Sequence, residues 1–219
     1  MANEFFTELA RCLRKQGIVS EIQKDRRLEV FLHDQPALFV PAKSDVFLLP
    51  EMSGSEEAGD LYHEVARTAD EVWAYVEAVP TAPPLRAGGL SEEFRLLADF
   101  GGAVLAGRDR GPDWGYQFIT WTWDYGRTGV SHGHYYEGDF SAAKQDFAVR
   151  SGLISKAQLF SQGELVELYR ATDYLLENGP ELQEEPLQSI QTARAKIEYT
   201  VPDLQDKLEQ GQGQGLQMN

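Results

Sequence analysis

The fold of this chain turns on residues 114–153, WGYQFITWTWDYGRTGVSHGHYYEGDFSAAKQDFAVRSGL. Two strand-like stretches, Tyr116–Tyr125 and Val130–Tyr136, flank Gly126-Arg127-Thr128-Gly129, the pattern of an antiparallel hairpin. Three of the four tryptophans and two of the four histidines lie here. Asp139 then opens a helix running to about Leu153, with Phe140, Ala143, Phe147 and, just beyond, Ile154 able to face inward. Just upstream, Phe94–Phe100 and Ala103–Arg108 flank Gly101-Gly102, a two-residue hairpin signal. That turn places Leu96, Ala98, Phe100, Ala103 and Leu105 on one face. Four strands in sequence predict an antiparallel meander with a helix behind it.

Working toward the N-terminus, Ser53-Gly-Ser55-Glu56-Glu57 marks a helix start with acidic residues in the first turn. The helix runs to about Val79 on a stripe of Ala58, Leu61, Tyr62, Val65, Ala69, Val72, Trp73 and Val76. Before it, residues 3–16 form an amphipathic helix through Phe6, Leu9, Ala10 and Leu13, ended by Gly17. Ile18–Gln23 and Leu28–His33 read as strands around the turn Lys24-Asp25-Arg26-Arg27, and Asp45–Pro50 adds a third.

Toward the C-terminus, Ser161-Gln-Gly-Glu164 matches a capping box, followed by a stripe of Leu165, Leu168, Tyr169, Thr172, Leu175 and Leu176. A last helix spans about Glu184–Glu209, with Pro202 kinking or restarting it. The Gln/Gly-rich end, 210–219, has nothing to bury and reads as a disordered tail. The expected architecture is α+β: two small antiparallel sheets packed with helices and a helical C-terminal part. The stiff Pro80-Thr-Ala-Pro83-Pro84 break divides an α-β-β-β-α subdomain, 1–79, from a β-meander with C-terminal helices, 85–209.

The net charge is −15, concentrated in two largely helical regions. Residues 51–110 carry five basic against twelve acidic side chains, and 161–219 carry four against eleven. Such a surface repels phosphate, so direct binding to nucleic acid or anionic membranes is not expected; on the plain reading it serves solubility, and on the sharper one it is a negative face for a basic protein partner. No apolar run reaches the roughly 20 residues that cross a bilayer. One cysteine, Cys12, cannot form an internal disulfide, and no signal-peptide pattern opens the chain, so a cytoplasmic location is expected. Cys12 falls inside the first helix as small core filler.

The chemistry-bearing residues of the hairpin admit two readings. Pairing Tyr125 with Val130 sets Trp123 opposite His132, Trp121 opposite His134 and Ile119 opposite Tyr136, because opposed residues share a face. If helices cover that face, the histidines are core residues with hydrogen-bonded partners. If it is open, Trp121, Trp123, His132, His134 and Tyr136 line an aromatic binding groove. Two histidines at i, i+2 on a strand point the same way and suit a metal, with Glu137 and Asp139 as further candidate ligands. A catalytic zinc wants three protein ligands and an orienting outer layer. Phosphate-cradling and dinucleotide glycine motifs are absent, as are Gly-x-Ser-x-Gly and His-Glu-x-x-His, so no cofactor is expected.

Three segments resemble a known set of sequences: Phe5–Gln23, FFTELARCLRKQGIVSEIQ; 133–154, GHYYEGDFSAAKQDFAVRSGLI; and 156–176, KAQLFSQGELVELYRATDYLL. They are similar to an uncharacterised protein family of gut Firmicutes associated with conjugative or phage-like mobile elements. Its most specific part is the run Asp146–Leu153. The resemblance brings no assigned activity and no site; it implies a cytoplasmic accessory protein of bacterial mobile DNA. Within the run, Asp146 and Arg150 form an i, i+4 pair, expected on the surface and contributing about 0.2–0.5 kcal/mol, and Gly152 caps the helix. The functional expectation is a non-enzymatic interaction or regulatory module acting through its acidic helical surface or the aromatic groove. An acidic inhibitor of a DNA-binding enzyme is a variant of it. The alternative is a small metal-binding protein or enzyme using His132 and His134.

Overall fold

Ser55 caps the helix that its sequence announces. Its hydroxyl accepts a hydrogen bond from the Ala58 N–H at 3.2 Å, and α2 (Glu56–Thr81) follows with Glu56 and Glu57 at its positive end. Val65, Ala69, Val72, Val76 and Val79 are buried at helical spacing, and Tyr75 joins them. Pro80 lies in the last turn of this helix, where it removes one N–H bond to the preceding turn, and the helix ends one residue later at Thr81. α1 (Ala2–Lys15) likewise buries Phe6, Leu9, Ala10 and Leu13, together with Phe5. The computed structural model describes residues 2–41, 43–201 and 203–212.

Between these helices, β1 (Ser20–Ile22), β2 (Leu28–Leu32), β3 (Gln35–Val40) and β4 (Phe47–Leu48) form an antiparallel sheet in sequence order. The strand at 35–40 is an addition to the three read from the sequence, and it carries Pro36. It is tolerated because β4 pairs only with Leu38 and Phe39, and a bulge at Val30/Phe31 already interrupts the β2 ladder beside it. The β2–β3 turn is made by His33 and Asp34, both at positive φ (49° and 63°), as a tight hairpin requires.

The second sheet, β5 (Arg95–Phe100), β6 (Ala103–Asp109), β7 (Tyr116–Trp123) and β8 (Val130–Tyr136), is the predicted meander. One face joins the main core: Ala103, Leu105, Tyr116 and Phe118 cluster with α1, α2, the first sheet, and Phe140, Ala143 and Phe147 of α3 (Phe140–Arg150). The opposite face carries a second cluster, Val104, Ala106, Ile119 and Trp121 with Leu85 and Phe94. A bulge between Leu96 and Ala98 sets Leu96 opposite Ala106, so Leu96 leaves the face expected for it and joins the second cluster.

Because α2 and α3 contribute to one core shared by both sheets, the prolines at 80–84 do not divide the fold. The compact units are 1–154 and 155–219, so the expected boundary moves to the end of α3. In the second unit, Ser161 and Glu164 form the predicted capping box at the start of α4 (Gln162–Asn178). α5 (Glu184–Thr200) stops, and α6 (Leu204–Gln212) restarts the helix after Pro202. This unit's core is small: Val166, Tyr169, Ile197, Val201 and Leu204. Leu168 and Leu176, expected on the inner stripe, are exposed, because the buried face is centred on Val166 and Tyr169. The backbone of α6 stays helical through Gln212, into the expected tail; the rest of that tail, 213–219, lies outside the described residues. No described helix is long and apolar enough to cross a membrane.

Candidate functional site

The 116–136 hairpin forms in a different register from the one its sequence suggests. Trp123 opposes Val130 and Thr122 opposes Ser131; beyond an irregularity, Thr120 opposes His134, Ile119 opposes Tyr135 and Phe118 opposes Tyr136. β8 therefore carries one extra residue at His132–Gly133, and His132 has a positive φ of 54°. Gly133 permits this, since a Cβ there would lie 2.6 Å from Trp121 Nε1. Side chains alternate along a strand, so a one-residue offset moves His134 to the other face of the sheet.

The shared face expected for Trp121, Trp123, His132, His134 and Tyr136 is thus not built. Trp121 is 5% exposed and packs edge-on against Phe94 at 5.0 Å, on the face away from α3. Trp123 is half-buried there, with Arg127 5.2 Å above its ring. Tyr136 is half-buried on the opposite face, against the main core. Both histidines are exposed, so neither is a core residue and neither floors an aromatic groove.

What the structure does assemble is a polar clamp between α3 and the sheet. Asp146 accepts from Thr120 Oγ1 and lies 3.1 Å from His134 Nδ1. Arg150 donates to Thr120 O (3.0 Å), Thr120 Oγ1 (2.8 Å), Thr122 Oγ1 (2.7 Å) and the His132 carbonyl (2.7 Å). The Arg150–Asp146 separation is 3.7 Å. The bulge leaves a backbone group unpaired in the ladder, and Arg150 satisfies it. The pair that the sequence placed on the surface is largely covered and joins helix to sheet. Burial, and then the Asp146 charge, push the Tyr136 phenol above its ordinary pKa. His134 remains 56% exposed at its side chain, so Asp146 orients an imidazole whose other nitrogen faces solvent. That arrangement can hold a general base or a single metal ligand.

Glu137 and Asp139 do not join the histidines. Glu137 accepts from Arg110 (3.2 Å) and Gln117 (3.3 Å), and Asp139 caps α3 through the Ala142 N–H at 2.8 Å. Among the described residues no three His, Cys, Asp or Glu side chains converge as a metal site.

A second polar cluster, not read from the sequence, lies between α1 and α2. Glu8 is 4% exposed; it pairs with Arg11 at 2.5 and 2.8 Å and accepts from the Tyr75 hydroxyl at 2.7 Å. With the phenol proton committed to Glu8, the Cys12 thiol donates to the Tyr75 oxygen at 3.4 Å. Burial raises the Cys12 thiol and the Tyr75 phenol above their ordinary values, and the hydrogen bond to Glu8 raises Arg11. The thiol is therefore held protonated, which disfavours a nucleophilic role. The available sequence signal was Glu8 itself, lying between Phe5 and Cys12 on the apolar stripe of α1. Cys12 and Tyr75 also line a cleft of about 250 Å³, with Lys15, Gln16, Thr68, Glu71, Val72 and the turn Glu137-Gly138-Asp139.

The helical unit 155–219 has a different surface. It carries five basic and eleven acidic residues. Glu177, Glu181, Glu184 and Glu185 crowd the turn from α4 to α5, all exposed. Beside them on α4, Tyr174 is 70% and Leu176 38% exposed. Comparison with protein-family models, with curated proteins and with solved structures finds no match to this chain.

Proposed function

We propose that the protein is a non-enzymatic interaction or regulatory accessory protein of a bacterial mobile element, acting in the cytoplasm on a basic protein partner. The observation that carries this reading is the α4–α5 turn, where exposed Tyr174 and Leu176 sit beside Glu177, Glu181, Glu184 and Glu185. An aromatic or aliphatic anchor next to like charges is the composition of a surface that recognises a cationic partner. Carboxylates steer the encounter, and the apolar side chains gain contact area once docked. The mobile-element setting rests on the resemblance of the 5–23, 133–154 and 156–176 segments.

The test is a fluorescence-anisotropy titration with a labelled arginine- and lysine-rich peptide, run at low and at physiological salt. The expected result is saturable binding that weakens steeply with salt and weakens at least tenfold on replacing Glu177, Glu181, Glu184 and Glu185 by Gln. The quadruple control Glu51→Gln/Glu56→Gln/Glu92→Gln/Glu93→Gln, which removes the same charge from the other unit, should bind as the parent does. Equal loss in both variants, or saturable binding to duplex DNA, would remove the reading.

The alternative, a small metal-binding protein or enzyme, keeps one specific support in the His134–Asp146 contact. It predicts a zinc-induced rise in Tm that disappears in His134→Ala. His132 does not share the Asp146 contact; its Nδ1 lies 2.9 Å from Ser131 Oγ.

A further inference from the structure

We propose that the Asn178–Gly179 bond at the end of α4 is a self-modification site, where the Asn178 side-chain amide is converted to a carboxylate through a cyclic imide. Of the three asparagines in the chain, Asn178 alone is followed by glycine. The reaction is an attack by the next residue's backbone nitrogen on the asparagine Cγ, and glycine has no Cβ to hinder that nitrogen. Asn178 and Gly179 are both exposed, so water reaches the bond. Gly179 is the C-cap of α4, with φ −81° and ψ 176°, and Pro180 after it has no N–H with which to continue the helix. The reactive nitrogen therefore lies at the boundary between helix and extended chain.

The last turn of the helix is the gate. The Gly179 N–H donates to the Leu175 carbonyl at 2.9 Å, and Asn178 Nδ2 donates to the Tyr174 carbonyl at 3.3 Å. Attack needs the nitrogen to give up its proton and the Asn178 ψ to leave its helical value, so both bonds must open first. That opening costs little, because the buried residues of α4 are Val166 and Tyr169 and its last turn adds none. The nitrogen then bonds to Asn178 Cγ, the Cγ–Nδ2 bond breaks and ammonia leaves. Water opens the five-membered ring at either of its two C–N bonds. Cleavage of the new bond leaves aspartate; cleavage of the original peptide bond leaves isoaspartate, with the chain running through Cγ. Either product loses the donor to Tyr174 and places a negative charge at the helix C-terminus, where the macrodipole disfavours it. The last turn then stays open. The new charge joins Glu177 and Glu181 on the turn to which the proposed function assigns partner recognition; an effect on recognition rests on that reading, and the modification itself does not.

The test is timed incubation of the full chain at 37 °C and pH 8, then digestion under mildly acidic conditions. Mass spectrometry reads the amide-to-acid exchange, with fragmentation that separates aspartate from isoaspartate. A synthetic peptide of residues 171–185, too short to hold a helix by itself, gives the unrestrained rate. The expected result is conversion at Asn178 at least tenfold faster than at Asn3, with isoaspartate in excess of aspartate and a rate at least fivefold below the peptide's. Asn178→Gln, whose longer side chain requires a six-membered ring, should convert at least tenfold more slowly. In the converted chain the amides of residues 174–179 should exchange at least fivefold faster than in the fresh chain. An unchanged Asn178 while the peptide converts completely, aspartate as the sole product, a rate equal to the peptide's, or unaltered amide exchange after conversion would overturn the proposal. None of these readouts involves a partner, so they stand apart from the anisotropy titration.

Discussion

The two compact units spend their charged residues in opposite ways. In 1–154, ion pairs are drawn into the packing: Glu8–Arg11 lies under α1 and Asp146–Arg150 under α3, each tied by hydroxyl groups to a neighbouring element. In 155–219, most carboxylates stay on the surface, and a five-residue core leaves Tyr174, Tyr199, Leu168 and Leu176 exposed. The first pattern specifies one arrangement of helix on sheet, because a buried charge tolerates only the geometry that pairs it. The second leaves apolar and acidic surface together, which is what recognition of a cationic partner uses. The difference places the buried, pairing-dependent charges in the first unit and, on the function proposed above, the recognition surface in the second.

Substitutions in the first unit should therefore have the largest effects on stability. Glu8→Ala leaves the half-buried Arg11 guanidinium without its partner and the buried Tyr75 hydroxyl without its acceptor; a loss of about 2–4 kcal/mol is expected in urea unfolding. A loss below about 1 kcal/mol would show that Glu8 is not enclosed as described. Arg150→Ala removes four donated hydrogen bonds and should cost about 2–3 kcal/mol, with altered exchange of the 131–134 amides.

The first cluster also makes an alkaline prediction. The Cys12 and Tyr75 protons are held more tightly in the folded chain than in the unfolded one. Their stabilising contribution is complete below the ordinary thiol and phenol values. It is lost progressively as pH rises past those values, where the unfolded chain ionises first. Unfolding free energy should decline above about pH 9, and Tyr75→Phe should flatten that decline. An equal slope in the parent and in Tyr75→Phe would contradict the assignment.

Smaller effects belong to the second unit and to the exposed histidine. Tyr169→Phe loses the hydroxyl's contacts to Glu198 at 2.6 Å and Arg194 at 2.8 Å; about 1 kcal/mol is expected, read by faster amide exchange in α4 and α5. His134→Ala should shift stability by less than about 0.5 kcal/mol, because its ring is largely in solvent and Asp146 keeps Thr120 as a donor.

Much of this architecture was legible in the sequence. Caps at Ser55, Asp139 and Ser161 set helix starts, and apolar spacing set the inner faces of α1, α2 and α3. The site was less legible, because its geometry depends on single residues. One extra residue at His132–Gly133 sends His134 to the side of α3 and leaves Trp121 on the other. Spacing showed that Asp146 and Arg150 meet, but not that threonines lie beneath them. β3 went unread between two expected strands, and its Pro36 is accommodated because β4 pairs only with Leu38 and Phe39. Tyr75 is not legible from the stripe of α2, which runs through Trp73, because the glutamate it bonds lies on another helix.

The division between the units is tested most directly by hydrogen–deuterium exchange of the full chain with and without the basic peptide. The account predicts added protection confined to residues 174–188, with the amides of α1, α2 and both sheets unchanged. Protection centred on 8–16 and 68–75, or on the 131–150 clamp, would contradict it and move recognition to the first unit.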